Sequence, residues 1–599
     1  MKIQPNNIKE VLFKYVQNPK TWFFWYHNPR RLHDLYENDP HHDNRYKPIS
    51  GFTEIVWRYG ESAPLEIDGD KVHIQKDLYD FFSATLDETR IKSANAFAEY
   101  ALYISDAADL TYFRDSVAKR ELTGEVDYNS QRDHAAHTVY NYILGWYFFD
   151  NSKELREAFK TYFDKKLEII DLEKPTKEEL DHNGTDRQKY CKIDKNIFET
   201  SIVLVNEFGD VWPFASLLHD IGYILEGSLS SASTEVEHTR IINGSKIIHD
   251  YFNHYFWKFY KIDFRVTKHI AKTLGVMVPD FKRSESLGSL GDHLCDIGSC
   301  ENIRDQYKED RKSKTYLYNL MKSISNPYGL NSEAFAIWKD YYENYGNNNM
   351  KNILCIVETV YRNNLWVGAD YGKRSLDHGV CSGLISLQAL TFFRELFLGF
   401  KKKTHSDLLE DQEKLKKSEH IPYNLVSEEI FEFIKKEVLH VPLRIKIRGE
   451  FRADDWFNKV CWATASAAIH SIIQLPEYQK ECPKHIGDDK DETFFRLALD
   501  DDPLAFLGLL VDLLQEWDRY KVKQRGVSAF SGSVPLQSNF IILDGDMETS
   551  HIILQYPRDL EATSNLKTGI TNCLKIADVN KIVQIMKYNH KGTQISLFP

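Results

Sequence analysis

The residues of this chain that could do chemistry are ionisable side chains lodged where the pattern calls for hydrophobes. Burying a lone charge is costly, so such residues are normally paired, hydrogen-bonded or bound to a metal. Five places stand out. Arg132-Asp133-His134-Ala-Ala-His137 opens the apolar stretch TVYNYILGWYFF. His134 and His137 are spaced to share one face of a helix, with Asp133 available as its N-cap. His219-Asp220 lies back to back inside WPFASLLHDIGYIL, flanked by Leu217, Leu218 and Ile221. Asp377-His378-Gly379 leads into an apolar run whose Gly379, Ser382 and Gly383 would permit close packing. His470 follows WATASAAI, where an aliphatic would be expected, and Asp512 sits inside LAFLGLLVDLL. Asp512 faces a desolvation cost unless something positive meets it, whereas Glu516 and Asp518 fit ordinary solvated positions.

Each place has a plain structural reading: a core histidine bonded to a carbonyl, or at 377–378 an N-cap aspartate followed by a solvent-facing histidine. As a set they say more. Imidazole suits Mn, Fe, Ni and Zn, while carboxylates bridge ions and favour harder ones. Buried histidines and aspartates on separate helices are what a dinuclear metal site looks like before the chain folds. Adjacent residues on a helix diverge by about 100°. His219 and Asp220 could still converge on one ion, or Asp220 could bridge two.

The elements that must position these residues read as helices. From about 126 to 525 apolar residues recur at three and four. Within this stretch 284–300 and 324–350 read as loops bounding an insertion, and 401–417 as a solvated helix or loop. Residues 1–125 mix helical patches with one hairpin signal, PLEIDGDKVHIQ at 64–75, where β-prone runs flank Asp-Gly. Residues 525–538 form the clearest linker. Beyond it NFIILDGDMETSHIILQYP reads as strand, turn, strand, LKIADVNKIVQIMKY as a helix, and a short QISLF follows. The expected fold is mainly α: a helical core over 126–525 with an insertion near 284–350, an N-terminal region over 1–125 with one β-hairpin, and a small C-terminal α+β module over 526–599.

Composition bounds the function classes. The chain has 599 residues, 42% of them hydrophobic, with 76 basic and 88 acidic side chains and a net charge of −12. That is a globular composition, and the acid surplus argues against a surface that coats nucleic acid. Eight cysteines occur without a CxxC pair, against zinc fingers and thioredoxin chemistry, and scattered thiols fit a reducing cytosol. The N-terminal MKIQPNNIKEVLFKY lacks an apolar core of a signal peptide, and no uninterrupted apolar run approaches the roughly 18 residues of a spanning helix. The expectation is a cytoplasmic protein without a membrane span. Self-association into a homo-oligomer is compatible with all of this.

The order His, His-Asp, His, His, Asp resembles the HD superfamily of metal-dependent phosphohydrolases, named for the adjacent pair matched here by His219-Asp220. The family's first histidine matches His137, with His134 as the rival, and its last aspartate matches Asp512. Dinuclear members of the HD-GYP kind carry two further histidines, roles that His378 and His470 fit; the GYP motif itself is missing. DHGVCSGLISLQAL and PLAFLGLLVDLLQEWDR also resemble a bacterial HD subgroup found in conflict and defence settings. TRIINGSKII after His238 resembles the family's post-HD helix and makes His238 a further candidate ligand.

The resemblance implies two divalent ions held by His137, His219, Asp220, His378, His470 and Asp512, with Asp220 as the bridge. It implies hydrolysis of a phosphate ester in a nucleotide, an oligonucleotide or a strand end. His219 and Asp220 would carry the reaction, with His134 or His238 as the acid for the leaving oxygen. Lys246, Lys373, Arg374 and Arg519 lie near ligand candidates in sequence and could meet the substrate phosphate. The competing readings are a dNTP triphosphohydrolase, a regulatory or scaffold protein that binds a nucleotide without hydrolysing it, and a nuclease with aromatic stacking platforms.

Overall fold

A computed structural model describes residues 8–18, 21–27, 62–67, 70–85, 87–105, 107–123, 134–170, 202–225, 333–346, 348–367, 377–407, 409–410, 427–439, 453–470, 497–515, 520–522, 533–535, 542–546, 551–556, 579–588 and 594–596, with isolated positions between 244 and 274. The described part is mainly helical. Helices α1 (Ile8–Gln17) and α2 (Trp22–Tyr26) precede the hairpin β1 (Ser62–Ile67) and β2 (Asp70–Gln75), then α3 (Lys76–Ser83), α4 (Asp87–Ile104) and α5 (Thr111–Thr123). Next come α6 (His134–Asn151), α7 (Lys153–Ile170), α8 (Ile202–Leu217) and a 3-10 turn over Ile221–Leu225. Helices α9 (Glu333–Tyr345), α10 (Asn348–Val367), α11 (His378–Lys402), α12 (Glu428–Leu439), α13 (Ala453–Ile469) and α14 (Pro503–Leu514) complete the helical part.

Helix α6 is buried from His134 to Asp150, as a helix apolar on every side must be. Helices α1, α2, α4, α5, α7, α8 and α14 pack round it. Helix α11 packs along α13, and the small residues noted in its sequence set the approach. A side chain at Gly383 would meet the Thr464 carbonyl oxygen at 2.6 Å and Ala468 Cβ at 2.8 Å. Helix α8 tolerates Pro213 in its interior. The proline cannot donate to the carbonyl four residues back, and that carbonyl, Gly209 O, accepts instead from Ser105 Oγ at 3.3 Å. Lys459 of α13 ties to α8 through Glu207 at 2.9 Å and Asp210 at 2.7 Å.

Asp150, near the end of α6, docks the N-terminal helices. One oxygen accepts from Tyr15 Oη at 2.8 Å and from the Trp22 amide at 3.0 Å. Residues of 1–125, of the central helices and of α15 (Val579–Ile582) lie in one continuous hydrophobic cluster.

Strands follow the helices. β3 (Tyr520–Val522) pairs antiparallel with β4 (Ser533–Pro535). A four-stranded sheet has the order β5 (Ile542–Asp546), β6 (His551–Tyr556), β7 (Val583–Tyr588), β8 (Gln594–Ser596), with β6 and β7 parallel and the other pairs antiparallel. The hairpin at 64–75 forms in the expected register, Ile67 opposite Asp70 with Asp-Gly between.

Three expectations need correction. Residues 333–345 and 348–350, read as loop, are helical. Ala334, Phe335, Trp338, Tyr341 and Tyr342 form a buried helical stripe that Asn and Gly near 346–349 obscured. LKIADVNKIVQIMKY is helical only at Val579–Ile582, and its second half is strand β7. There the β-branched Val583 and Ile585 alternate along the ladder with β6. The expected linker at 525–538 contains strand β4. Residues 284–300 lie outside the described part, as do 411–417 of the charged run. Among the described residues, His378–Lys402 is one helix long and apolar enough to cross a membrane, which counting only uninterrupted runs had missed; 78% of that window is buried inside the protein.

Asp502 sets the position of α14. As N-cap it accepts from the Leu504 and Ala505 amides, both at 2.9 Å. It also accepts from Trp462 Nε1 at 2.9 Å and from the Tyr342 hydroxyl, joining α14 to α13 and α9. Asp502→Ala should lower stability by about 2–4 kcal/mol, since a cap and buried side-chain bonds go together. Burial pushes the Asp502 carboxyl up from 3.8 to about 6, against the pull of Tyr342 and the other donors. Its proton is therefore held more tightly in the folded chain. The stability linked to it is complete below about pH 4 and is lost as pH rises through about 6. Between pH 4 and pH 7, the unfolding free energy of wild type should fall by about 2 kcal/mol relative to Asp502→Asn. Denaturant titrations giving parallel pH profiles would refute this.

Candidate metal centre

The six residues expected as ligands meet at the ends of helices. Helix α8 stops at Leu217, and His219-Asp220 occupies the turn between it and the 3-10 segment. The pair is therefore not on a helix as expected, and in the turn both side chains aim at one point. Buried Arg114 on α5 stabilises this stop. Its Nη1 donates to the Leu217 carbonyl and, at 2.6 Å, to Thr138 Oγ1; its Nη2 donates to the Ala135 carbonyl at 3.0 Å. His378 is the first residue of α11, and Asp377 caps that helix by accepting from the Val380 amide at 2.8 Å. The N-cap reading of Asp377 thus holds together with an inward-facing His378. His470 follows the last turn of α13, and Asp512 lies in the last turn of α14.

The geometry separates the donors into two groups that share Asp220. Asp220 Oδ2 lies 3.4 Å from His219 Nε2 and 3.9 Å from His137 Nε2. Asp512 Oδ1 closes this half, 2.7 Å from His137 Nε2 and 3.4 Å from His219 Nε2. Asp220 Oδ1 faces the other way, 3.6 Å from His378 Nε2 and 3.8 Å from His470 Nε2, which are 3.1 Å from each other. The donor atoms of His137, His219 and Asp220, and those of Asp220, His378 and His470, lie within 4.8 Å of one another in each group. Both groups are clusters that could hold a metal ion. They differ in access: the side chain of His378 is 24% exposed, against 1% for His137 and 3% for His219.

The ring nitrogens turned away from the centre fix the tautomers. His219 Nδ1 lies 2.5 Å from the Ser216 carbonyl and His470 Nδ1 2.6 Å from that of Ala467. His137 Nδ1 meets Gln515 Oε1. Each contact requires a proton on Nδ1, which leaves the Nε2 lone pair directed inward, the arrangement that metal-ligating histidines use. His219 Nε2 is buried without a hydrogen-bond partner. Lone pairs of imidazoles and carboxylates facing one another need protons or cations between them, so the donor set fits divalent ions.

Charge follows the geometry. Burial pushes Asp220 up, but His219, and then His134, His137 and His378, outweigh it and hold the carboxylate well below its ordinary range. Asp512 is likewise held low against burial by its contacts with His137 and His219. For His219, burial pulls down and Asp220 and Asp512 more than compensate, so it is raised. Burial and neighbouring His470 pull His378 down to about 4.

His134, the rival first histidine, does not join either group. Its ring packs on Tyr223 with centroids 3.9 Å apart, and it lines a small cleft with Arg114, Thr138 and Asp220. His238, Lys246, Lys373, Arg374 and Arg519 lie outside the described residues, as do Glu516 and Asp518. Two residues that sequence reasoning missed are Asn141 and Gln515, both fully buried. Asn141 Nδ2 lies 3.0 Å from His137 Nε2 and 3.4 Å from Asp512 Oδ1. The signal was there: Asn141 stands four residues after His137 and Gln515 three after Asp512, each a helical neighbour of a ligand.

Comparison with protein-family models, with curated proteins and with solved structures finds no match to this chain.

If the clusters bind ions, Mn²⁺ at about a hundred times its Kd should add about 2.7 kcal/mol of stability per ion over the EDTA-treated protein. Asp220→Ala, which withdraws an oxygen from both halves, should abolish the gain, and Asp512→Ala should diminish it. Equal stabilisation of wild type and Asp220→Ala in thermal unfolding would locate the ions elsewhere.

Proposed function

We propose that this chain is a divalent-metal-dependent phosphohydrolase of the HD type, acting on a phosphate ester in a nucleotide or oligonucleotide. One observation carries the reading: the two oxygens of Asp220 face two separate imidazole pairs, as a carboxylate shared by two ions must. The motif order His137, His219-Asp220, His378, His470, Asp512 supports it independently.

In this reading His137, His219 and Asp512 hold one ion, His378 and His470 the other, and Asp220 both. Two ions so held would acidify a bound water and neutralise charge on a phosphoryl oxygen. The chain's own residues do the rest. Gln515, Ser216 and Ala467 hold the imidazoles in register through their Nδ1 protons. His134 lines the cleft beside Asp220, which supports its assignment as proton donor to the leaving oxygen. The greater exposure of His378 supports entry of substrate from its side.

The test is a panel of nucleotides, cyclic oligonucleotides and single strands, assayed with Mn²⁺, Ni²⁺ and Mg²⁺. Wild type should hydrolyse at least one member. The double variant His219→Ala, Asp220→Ala and the single variant Asp512→Ala should be inactive on it. Gln515→Leu, which frees a ligand without removing it, should lose about 10–100-fold in metal affinity or activity. Release of tripolyphosphate from dNTPs would narrow the reading to a triphosphohydrolase. Full activity in the double variant, or a bound nucleotide recovered intact after long incubation with Mn²⁺, would overturn it.

A further inference from the structure

The residue that follows the His-Asp turn by three, Tyr223, is not among the candidate ligands, yet it is built into the centre. Its ring lies parallel to that of His378, centroids 4.3 Å apart and planes 15° apart. On another side it packs against His134 at 3.9 Å, tilted by 41°. It thus contacts a ligand of the open, three-donor half and a histidine that belongs to neither half.

The contact is enforced by the backbone. The 3-10 turn carrying Tyr223 docks on the first turn of α11 through Gly222, whose amide donates to Ser382 Oγ at 2.7 Å. Ser382 Oγ in turn donates to the His378 carbonyl at 2.7 Å. A side chain at Gly222 would meet that carbonyl oxygen at 1.9 Å, so only glycine admits this approach. The other three histidines have their tautomers fixed by donating from Nδ1, His137 to Gln515 Oε1, His219 to the Ser216 carbonyl and His470 to the Ala467 carbonyl. No such bond is described for His378. Among the described residues, what lies along the face of its ring is Tyr223.

We propose that Tyr223 is a positioning residue for the open half of the metal centre: its flat ring, rather than its hydroxyl, sets the plane of His378 so that Nε2 points between His470 and Asp220. The proposal rests on the dinuclear reading above. Stacking substitutes here for the carbonyl or amide that orients the other histidines, and it leaves the exposed edge of His378 free toward solvent.

The experiment is stepwise Mn²⁺ binding to the full chain by calorimetry, with His470→Ala marking which step belongs to the open half. Wild type and Tyr223→Phe should show the same two steps. Tyr223→Leu, which keeps apolar bulk but not the flat face, should weaken the open-half step at least tenfold and leave the other within twofold. Equal weakening of both steps in Tyr223→Leu would reduce the residue to a structural one and overturn the proposal. So would a Tyr223→Phe variant as impaired as Tyr223→Leu, or a Tyr223→Leu variant indistinguishable from wild type. A single step in wild type would instead refute the dinuclear reading, and the proposal with it.

Discussion

A carboxylate surrounded by imidazoles governs this structure. Asp220 is removed from water, which by itself would favour its neutral form, yet His219, and then His134, His137 and His378, hold its carboxylate well below the ordinary range. Its position answers to both sides at once. A shift toward His137 and His219 is a shift away from His378 and His470. Such a group tolerates little displacement, and the surrounding helices are arranged to permit little.

That arrangement works through helix ends. All six candidate ligands sit in a terminal turn or just beyond one, where chain direction changes and side chains can converge. A helix end leaves unsatisfied backbone groups, and at two of the ends that meet here a buried polar side chain closes one. Arg114 takes the carbonyl at the end of α8 and Asp377 an amide at the start of α11, while Asp502 caps α14 at the end away from Asp512. The caps stabilise the helices and also decide where each helix stops, and hence where each ligand points. His137, in the first turn of α6, has Asn141 one turn on and Gln515 across from it.

That these histidines and aspartates gather in the interior was legible in the sequence, because each breaks an apolar pattern. Their supporting residues were less so. Asn141 and Gln515 break the same patterns, but amides draw less attention than charges in an apolar run. Arg114 lies in α5, whose sequence has no amphipathic contrast to mark an inward face, so its role emerges only from contact with α6 and α8. Tyr223 reads as one more aromatic in IGYIL. The main-α character was readable from helical periodicity, and the first hairpin from its Asp-Gly turn; in the second, Asp544-Gly545 belongs to β5 itself, opposite Ile553 and Ile552, and the turn lies beyond it. Short apolar runs such as VQIMKY carried both periods, and only pairing with β6 settled β7 as a strand.

His137 and Asp512 are 375 positions apart in sequence, yet His137 Nε2 and Asp512 Oδ1 are 2.7 Å apart. During synthesis, no fragment that stops short of α14 carries the whole donor set. A nascent chain therefore cannot assemble this centre early; it completes the site only when its last long helix has been made and docked. Any ion held there would tie the two ends of a very long loop, and would slow the parting of α6 and α14 more than it aids their first meeting.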